Sequence, residues 1–381
     1  MPRPSEQAAN KPATCDQELI AHLLSWFTTA ARDLPWRRSG AAGQRDPYIT
    51  LVSELMLQQT QVSRVLEKFE PFLRRFPTVE CLANAEETDV LAAWSGLGYY
   101  RRARLLHAAA KAIQKEFGGN VPRTLEELLT IPGIGPYTAG AISSLAFNQP
   151  APVVDGNVTR VLLRISAHPG TLGDKASAAW AWKKARELMD QLPKWASPGA
   201  WNEGLMELGA TVCTPLAPRC SACPVQAYCS AFALRLVDSI PTPKDTKARA
   251  RRFWATIVYC DSRGRVLLQT RPPSGLFAGL EQAPTLETNT LATAKTVRVF
   301  AQQVGGEKTQ LSKLGTLEHQ LTHRDITCTV YAASGFKVSK QMGGRWVSGD
   351  EAAEAAISNI QRKVLKLAGV FSGNQASRAD T

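Results

Sequence analysis

The chain has 381 residues, a length typical of two domains, and its 44% hydrophobic and 20% charged residues exclude a largely disordered protein. The formal net charge of +12 favours a polyanionic partner, although a merely solvated basic surface has the same charge. The N-terminal residues lack the apolar core of a secretion signal, and no apolar run approaches the roughly 20 residues that span a bilayer. We therefore expect a cytoplasmic protein associated with a bacterial nucleoid, with reduced thiols and no membrane contact.

Residues 17–232 are predicted to form a mainly helical domain, because apolar residues recur there at spacings of three and four. Asp46 is a typical N-cap and Pro47 a typical first residue, and the pattern after them predicts one helix over residues 48–69. Three polar side chains share one face of that helix at 100° per residue: Glu54, Gln58 and Gln61. A glutamate beside an apolar stripe is ordinarily a surface residue, so the helix alone indicates no chemistry.

Residues 131–139, with the sequence IPGIGPYTA, predict a tight hairpin followed by a helix. Gly133 and Gly135 allow the turn, and Pro136 is a good first helical residue. The backbone amides of such a turn, together with a helix N-terminus, can bind phosphate without sequence preference, although a lone GxG is usually only a turn. Asp155 lies further on, between an apolar run and a Gly-Asn pair, where it could simply cap a helix.

Four cysteines are crowded into 17 residues: Cys213, Cys220, Cys223 and Cys229. Four thiolates can converge on one metal centre. Tetrahedral zinc sites usually come as two close pairs, whereas only one pair is close here, and clustered cysteines also hold iron–sulfur clusters. The chemistry alone leaves zinc and an iron–sulfur cluster equally open. The remaining cysteines receive no role: Cys15, Cys81, Cys260 and Cys328.

Residues 233–252 are predicted to be a basic linker, and residues 253–370 a second, α+β domain. The segments FWATIVYC and RVLLQTR predict a hairpin across residues 261–264. The later segments LGTLEHQLTH and DITCTVYAA predict further strands, and a helix over residues 350–367 closes the domain.

These motifs together resemble one family. The cysteine spacing resembles the [4Fe–4S] loop of the endonuclease III superfamily of DNA glycosylases, and the hairpin with Asp155 resembles the helix–hairpin–helix and catalytic aspartate of that superfamily. The segment SELMLQQTQ, residues 53–61, closely resembles the catalytic helix of adenine DNA glycosylases of the MutY family. The resemblance covers residues 17–230 densely. It implies a [4Fe–4S] cluster on the four cysteines and double-stranded DNA as the partner of a monomeric enzyme.

The resemblance also implies roles for individual residues. Glu54 would be the general acid, Asp155 would stabilise the sugar cation, and Tyr137 and Asn157 would support them. The adenine pocket would comprise Arg32, Trp36, Arg37, Leu57 and Glu203. Contacts to DNA would come from Gln58, Gln59, Gly133, Gly135 and, in a wedge loop at residues 96–101 (GLGYYR), from Tyr99. Basic side chains are expected to make DNA binding salt-dependent: Arg101, Arg102 and Arg104. Residues 38–45 form a longer loop than the family pattern has, with no expected effect on function.

Superfamily members that also cut the DNA backbone carry a lysine in the helix after the hairpin, which forms a Schiff base with the sugar. Tyr137 stands there instead, and a tyrosine cannot form that imine. We therefore expect a monofunctional glycosylase that hydrolyses the N-glycosidic bond of adenine mispaired with 8-oxoguanine or guanine, in base excision repair. Two alternatives are kept: a bifunctional glycosylase/lyase of the endonuclease III type, and a non-enzymatic iron–sulfur protein that binds DNA or senses redox state.

The stretch LLQTRPPSGLFAGLEQAP resembles the Nudix-like C-terminal domain of the same family. A Nudix hydrolase needs a carboxylate-rich helix for Mg²⁺, whereas the segment LATAKTVRVFAQQVGG contains no acid, which argues against pyrophosphatase activity. Family members read 8-oxoguanine with a Phe-Ser-His loop. The aligned residues here are Leu321, Thr322 and His323, so the hydroxyl and the imidazole are kept and the aromatic ring is lost.

Overall fold

A computed structural model describes residues 14–38, 44–243, 248–338 and 343–371. The chain forms two compact units. The helical unit contains the residues up to Asn84 and from Leu105 to Asp245, and the sheet unit contains Ala85–Arg104 and the residues from Thr246 onward. Within the described residues, no helix has the length and apolar character needed to cross a membrane. The predicted combination of a mainly helical part with a smaller α+β part is confirmed.

The helices before the first strand are, in chain order, α1 (Thr14–Ala30), α2 (Pro47–Leu57), α3 (Val62–Arg75), α4 (Val79–Ala83), α5 (Glu87–Ala93), α6 (Arg101–Phe117), α7 (Leu125–Thr130), α8 (Pro136–Ala141), α9 (Gly156–Ile165), α10 (Lys175–Asp190), α11 (Pro198–Thr211) and α12 (Ser230–Ala233). α5 and the first four residues of α6 belong to the sheet unit. A core of buried aliphatic side chains joins α1, α9, α10 and α11, with Trp201 fully buried among them. This core fixes the helices that carry the polar residues described below.

The single helix predicted over residues 48–69 is wrong, because the chain leaves the helix after Leu57. Gln58 has an extended ψ of 115°, and Gln59 adopts a left-handed φ of +55°. Gln61 is then the N-cap of α3. The break is stabilised by a tertiary contact, since the Gln58 amide donates to the Thr138 hydroxyl in α8 at 3.2 Å. Gln61 therefore does not share a helical face with Glu54.

The sheet unit contains β1 (Ala250–Tyr259), β2 (Val266–Thr270), β3 (Glu281–Gln282), β4 (Thr285–Thr288), β5 (Gln310–Gln320), β6 (Arg324–Ser334) and β7 (Arg345–Val347), with α13 (Ala294–Gly305), α14 (Gly349–Glu354) and α15 (Asn359–Leu367). One sheet has the order β4-β1-β6-β5, in which β1 and β6 are parallel, and the other has the order β3-β2-β7. Apolar side chains of both sheets and of α15 form its core.

Two expectations for this unit need correction. The turn at residues 261–264 is present, but β1 and β2 enter different sheets and share only the bridge between Cys260 and Val266. The closing helix predicted over residues 350–367 is two helices, because Ala355 is extended and Ser358 caps the second helix. The strand pattern did not predict the separation of β1 and β2, because strand pairing depends on the other strands. The helical pattern did not predict the break between α14 and α15, because the alanine and isoleucine residues at the break also suit a helix.

Candidate functional site

A cavity of about 580 Å³ lies in the helical unit. Its lining includes every predicted catalytic residue, every predicted pocket residue and two of the predicted DNA contacts: Glu54, Tyr137, Asp155, Asn157, Arg32, Trp36, Arg37, Leu57, Glu203, Gln58 and Gln59. Gly133 and Gly135 belong to the same unit but do not line the cavity, whereas Tyr99, Thr322 and His323 belong to the sheet unit. Residues far apart in the sequence are thus brought to one cavity.

Glu54 is the buried acid of this cavity. Asp46 caps α2 by accepting hydrogen bonds from the backbone amides of Tyr48 and Ile49, which fixes the helix that carries Glu54. Glu54 is 5% exposed, and its carboxyl group accepts a hydrogen bond from the Tyr137 hydroxyl at 2.7 Å. Burial raises the pKa of Glu54 to about 7, although the Tyr137 bond opposes the shift. At neutral pH this carboxyl is therefore poised between a proton donor and an anion.

Asp155 has two roles at once, as a helix cap and as a cavity residue. Its Oδ1 accepts from the Val158 amide at 2.7 Å at the start of α9, and its Oδ2 accepts from the Asn157 side-chain amide at 3.1 Å. Burial raises the pKa of Asp155 above its ordinary value, while these donors oppose the shift. The carboxylate is consequently fixed in direction towards the cavity that it shares with Glu54.

Asn157 is held in place by Arg160 on the same helix. The Arg160 guanidinium donates to the Asn157 side-chain oxygen at 2.9 Å, to the Gly209 carbonyl at 2.7 Å and to the Cys213 carbonyl at 2.8 Å. Because the oxygen of Asn157 is occupied in this way, its amide group is the end that faces Asp155. The cysteine segment and the site carboxylate are therefore linked through one buried arginine.

A group of ion pairs forms part of the wall of the cavity. Glu203 and Glu207, one turn apart on α11, are 5% and 1% exposed. Arg37 bonds to both, at 3.0 and 2.8 Å, while Arg32 binds Glu207 at 2.6 Å and Arg45 binds Glu203 at 2.6 Å. Burial acts to raise the pKa of Glu207, but the two arginines hold it below its ordinary value. Fixed charges of both signs thus surround a cavity that a planar polar base could enter.

The lining residues that the sequence interpretation missed include Arg45, Met206 and Glu207. Arg45, at the end of the loop of residues 38–45, pairs with the buried carboxylate of Glu203. The expectation that the length of this loop has no effect on function stays a prediction, and residues 39–43 lie outside the described residues. The spacing of Glu207 four residues after Glu203, on one face of a helix, was the available signal for it.

Gly209 allows α11 to approach α9 closely, since a methyl group there would lie 2.7 Å from the Asn157 Cβ and 3.0 Å from its carbonyl oxygen. We expect Gly209→Ala to lower stability by about 1–3 kcal/mol and to slow catalysis by displacing Asn157 from Asp155. Thermal unfolding and single-turnover rates test this. Gly204→Ala on the same helix is the matched control, because its methyl would meet only side-chain atoms, of Leu23 at 3.3 Å and of Phe27 at 3.6 Å. Equal effects of the two variants would contradict the account.

The hairpin after α7 has the predicted form. Gly133 has a φ of +86°, and a Cβ there would lie 2.8 Å from the Leu105 Cβ, so only glycine fits. Gly135 is the N-cap of α8, and a Cβ added to it would meet no atom within 4 Å. The backbone at Gly135 is thus accessible to a large ligand, while Gly133 allows the turn to form.

The four clustered cysteines surround a second, smaller cavity. All four line a space of about 30 Å³, together with Arg164, whose guanidinium lies 3.4 Å from the Cys213 sulfur. The described residues contain no group of three or more His, Cys, Asp or Glu side chains spaced to hold a metal ion directly. The four cysteine side chains line one common space, but they are not placed at the distances needed to bind one metal ion together.

In the sheet unit, the wedge loop is organised by Arg102. Its guanidinium donates to the Gly98 carbonyl at 3.3 Å and lies over the rings of Trp94 and Tyr99, at 5.5 and 5.3 Å from the centroids. Tyr99 itself is 46% exposed with a φ of +47°. Arg102 is 7% exposed, and Arg104 bonds to Glu87 at 2.8 Å. Both guanidinium groups thus have partners within the sheet unit, and the salt dependence of DNA binding stays a prediction.

Comparison with known proteins identifies the family. Residues 52–187 match the family model of the HhH-GPD superfamily base excision DNA repair protein, and residues 254–367 match that of the NUDIX domain. The adenine DNA glycosylase of Mus musculus is 35% identical over 400 aligned residues, which cover 91% of this chain and 77% of the mouse protein. The chain belongs to the adenine DNA glycosylase family.

Further similarities agree with membership of the adenine DNA glycosylase family. A bacterial member from Mycolicibacterium smegmatis is 44% identical over 203 residues, covering 53% of this chain and 66% of that protein. The solved structure of a thermostable thymine-DNA glycosylase is 27% identical, with a TM-score of 0.50 over 58% of this chain and 98% of that one. The HhH-GPD match includes Glu54, the hairpin and Asp155, so the motifs behind the predicted resemblance lie inside the matched region.

Proposed function

We propose that this protein is a monofunctional DNA glycosylase that hydrolyses the N-glycosidic bond of adenine in double-stranded DNA, in base excision repair. The observation that carries the proposal is the cavity in which Glu54, with a pKa of about 7, accepts a hydrogen bond from Tyr137 and is joined by Asp155. Two carboxyl groups in different environments are what cleavage of a glycosidic bond requires. The family membership supports adenine as the base that is removed.

Adenine enters the cavity after the nucleotide is flipped out of the duplex. Protonated Glu54 donates its proton to N7, since adenine is a poor leaving group as an anion. The C1′–N9 bond then breaks, and its electron pair stays with the neutral base. Tyr137, through its bond to Glu54, directs the carboxyl group, while Arg37 and Glu203 supply a donor and an acceptor in the cavity wall.

The sugar that remains carries positive charge at C1′, which ionised Asp155 stabilises. The Val158 amide and the Asn157 side chain donate to this carboxylate, favour the anion and hold its direction. Water adds to C1′, and its proton passes to the Glu54 carboxylate, which restores the acid. The product is an abasic site in an uncut strand, because Tyr137 offers no amine for Schiff-base formation.

The deciding assay uses a duplex with one 8-oxoguanine:adenine pair, treated with hot alkali after incubation. Strand cleavage at the adenine only after alkali is expected. Cleavage without alkali, or trapping by borohydride, would establish a lyase and contradict the role of Tyr137. No cleavage by protein that binds the duplex would instead support a non-enzymatic DNA-binding protein.

We further propose that the sheet unit recognises 8-oxoguanine opposite the adenine. Thr322 and His323 are both exposed in the turn between β5 and β6, where a hydroxyl and an imidazole can bond to a base. Leu321 is half-buried against the core of the unit, so it anchors the turn rather than stacking on a base. α13, with the sequence AKTVRVFAQQVG, carries no carboxylate that could bind the Mg²⁺ of a Nudix hydrolase.

Thr322→Val is expected to lower the preference for 8-oxoguanine:adenine over guanine:adenine duplexes by roughly 5- to 10-fold, the size of one lost hydrogen bond. The ratio of single-turnover rates on the two duplexes measures it. Thr327→Val, at an exposed hydroxyl on β6 outside the turn, is the control. An unchanged ratio in Thr322→Val would contradict recognition by this turn.

We propose that Cys213, Cys220, Cys223 and Cys229 hold a [4Fe–4S] cluster. The four thiols line one shared cavity, and the Arg164 guanidinium beside Cys213 offsets thiolate charge. Their spacing resembles that of the [4Fe–4S] loop of the endonuclease III superfamily, whereas tetrahedral zinc sites usually come as two close pairs of ligands. The cluster would cross-link the segment that contains the four cysteines. Arg160 donates to the Cys213 carbonyl in this segment and also to the side-chain oxygen of Asn157.

Cys223→Ser is expected to lose visible iron–sulfur absorbance, to bind fewer than four irons per chain and to unfold at lower temperature. Anaerobic purification with iron, sulfide and zinc analysis measures it. Cys260→Ser, at an exposed thiol outside the cluster, should keep full occupancy. One zinc per chain in colourless wild-type protein would contradict the assignment.

A further inference from the structure

The segment that carries the wedge loop is held by hydrogen bonds to α15 and to the residues that precede α15. Trp94, Ser95 and Tyr100 are 0%, 1% and 5% exposed, although the loop that they flank presents Tyr99 to solvent. This segment belongs to the same compact unit as the C-terminal residues, not to the unit with the cavity. The base of the wedge loop is therefore part of the core of the sheet unit.

The break between α14 and α15 supplies the acceptor for this attachment. The Ile357 carbonyl accepts from the Ser95 hydroxyl at 2.9 Å and from the Tyr100 hydroxyl at 2.8 Å. One backbone oxygen thus receives bonds from Ser95, directly before the wedge loop of residues 96–101, and from Tyr100, near the end of that loop. A continuous helix would have used this carbonyl for its own hydrogen bonding, so the break that the sequence pattern did not predict makes the contact possible.

Arg362 on α15 completes the arrangement. Its Nε and Nη2 donate to the Ser95 oxygen at 3.2 and 2.9 Å, and Nη2 also donates to the Ala353 carbonyl at 3.0 Å. Ser95 accepts from a cation and donates to a carbonyl, so its hydroxyl has one defined direction. Hydrogen bonds to a charged partner are the stronger kind. We call Ser95, Tyr100, Ile357 and Arg362 the latch.

Further contacts connect the latch to Tyr99 at the tip of the wedge loop. The Trp94 indole donates to the Gly98 carbonyl at 3.1 Å, and Arg102 binds the same carbonyl and stacks on Tyr99. The Tyr99 hydroxyl lies 2.5 Å from the Thr322 hydroxyl in the β5–β6 turn. A displacement of Ser95 would thus be transmitted through Trp94 and Arg102 to Tyr99.

We propose that the latch positions the wedge tyrosine, with Arg362 as a positioning residue that does not touch DNA. The proposal rests on the proposed function and on the expected contact between Tyr99, in the wedge loop, and DNA. By this account the sheet unit does more than read the opposite base, because it also fixes the tyrosine that contacts the duplex. Duplex binding should then depend on Arg362, while the chemical step in the cavity should not.

The first experiment needs no DNA. Amide hydrogen exchange of residues 94–100 is compared in wild type, Arg362→Met, Ser95→Ala and Arg362→Lys. We expect at least 10-fold faster exchange in the first two variants and partial rescue by lysine. Lys366→Met, at an exposed residue of the same helix, is the control and should match wild type. Unchanged exchange in both Arg362→Met and Ser95→Ala would overturn the latch.

The second experiment separates binding from chemistry. For Arg362→Met, we expect the Kd for an 8-oxoguanine:adenine duplex to rise about 10-fold, while the rate of adenine release at saturation stays within threefold of wild type. General destabilisation would instead reduce the active fraction without moving Kd. An unchanged Kd despite faster exchange would overturn the proposal. If wild type released no adenine, the proposed function would fail, whereas exchange and affinity would still test the latch.

Discussion

Replacing Glu54 by glutamine is expected to slow single-turnover release of adenine by roughly 10²- to 10⁴-fold, the range that a general acid contributes. Glutamine keeps the size of the side chain and an oxygen that can accept the Tyr137 bond, but it has no acidic proton. Affinity for the 8-oxoguanine:adenine duplex should therefore persist. Release within threefold of wild type would show that another group protonates adenine.

The pH dependence follows from the same carboxyl group. Because its pKa is about 7 and its acid form is the active one, the wild-type rate should fall as pH rises through about 7. This alkaline limb should disappear in Glu54→Gln. In Tyr137→Phe it should move to higher pH, since the lost hydroxyl is the group whose hydrogen bond lowers the pKa of Glu54. Glu126→Gln, an exposed acid on α7, should keep the wild-type profile.

Glu54 should also make folding pH-dependent. The pKa lies at about 7 in the folded chain and at its ordinary value of 4.5 in the unfolded one, so the unfolded state loses its proton first as pH rises. The stabilisation that protonated Glu54 provides is complete below pH 4.5 and lost by pH 7, a change of about 3 kcal/mol at 1.36 kcal/mol per unit. Above pH 7, Glu54→Gln should be more stable than wild type while being inactive.

Local patterns predicted those parts of the site that depend on local chemistry. The cap at Asp46, the glycine turn at Gly133 and the spacing of the cysteines each involve a few consecutive residues, and all are present. The break after Leu57 could not be read in this way, because it depends on a left-handed Gln59 and on a contact to α8. Tertiary contacts there outweigh a sequence that suits one long helix.

Pairing of charges was equally hidden from the sequence. Arg45 lies in a Gly/Ala-rich loop that is typical of a neutral insertion, yet it binds buried Glu203. Arg102 lies in a basic run that is typical of a phosphate contact, yet it is buried over Trp94. In both cases the partner lies far away in the sequence or is a backbone carbonyl. The pattern of charged residues therefore predicts an exposed side chain where the structure has a paired one.

Asp155→Asn is expected to lower adenine release by roughly 10²- to 10³-fold with the fold retained. Asparagine caps helices as well as aspartate does, so the Val158 bond at the start of α9 should survive. The new side-chain amide would face the Asn157 amide, whose oxygen is held by Arg160, so one donor loses its acceptor. Thermal unfolding and single-turnover rates on the 8-oxoguanine:adenine duplex measure the two effects separately.

A capping role and a catalytic role for Asp155 predict different rankings of variants. If the carboxylate served only as a cap, Asp155→Asn would match wild type. Asp155→Ala would lose about 1 kcal/mol of stability, and its activity would fall only as far as the folded fraction falls. If its negative charge stabilises the sugar cation, both variants lose release while only alanine loses the cap. Asp174→Asn is the matched control, because Asp174 caps α10 through the Ser177 amide at 3.0 Å and does not line the cavity. Nearly full activity of Asp155→Asn would show that Asp155 acts only as a helix cap and that its negative charge does not assist Glu54 in catalysis.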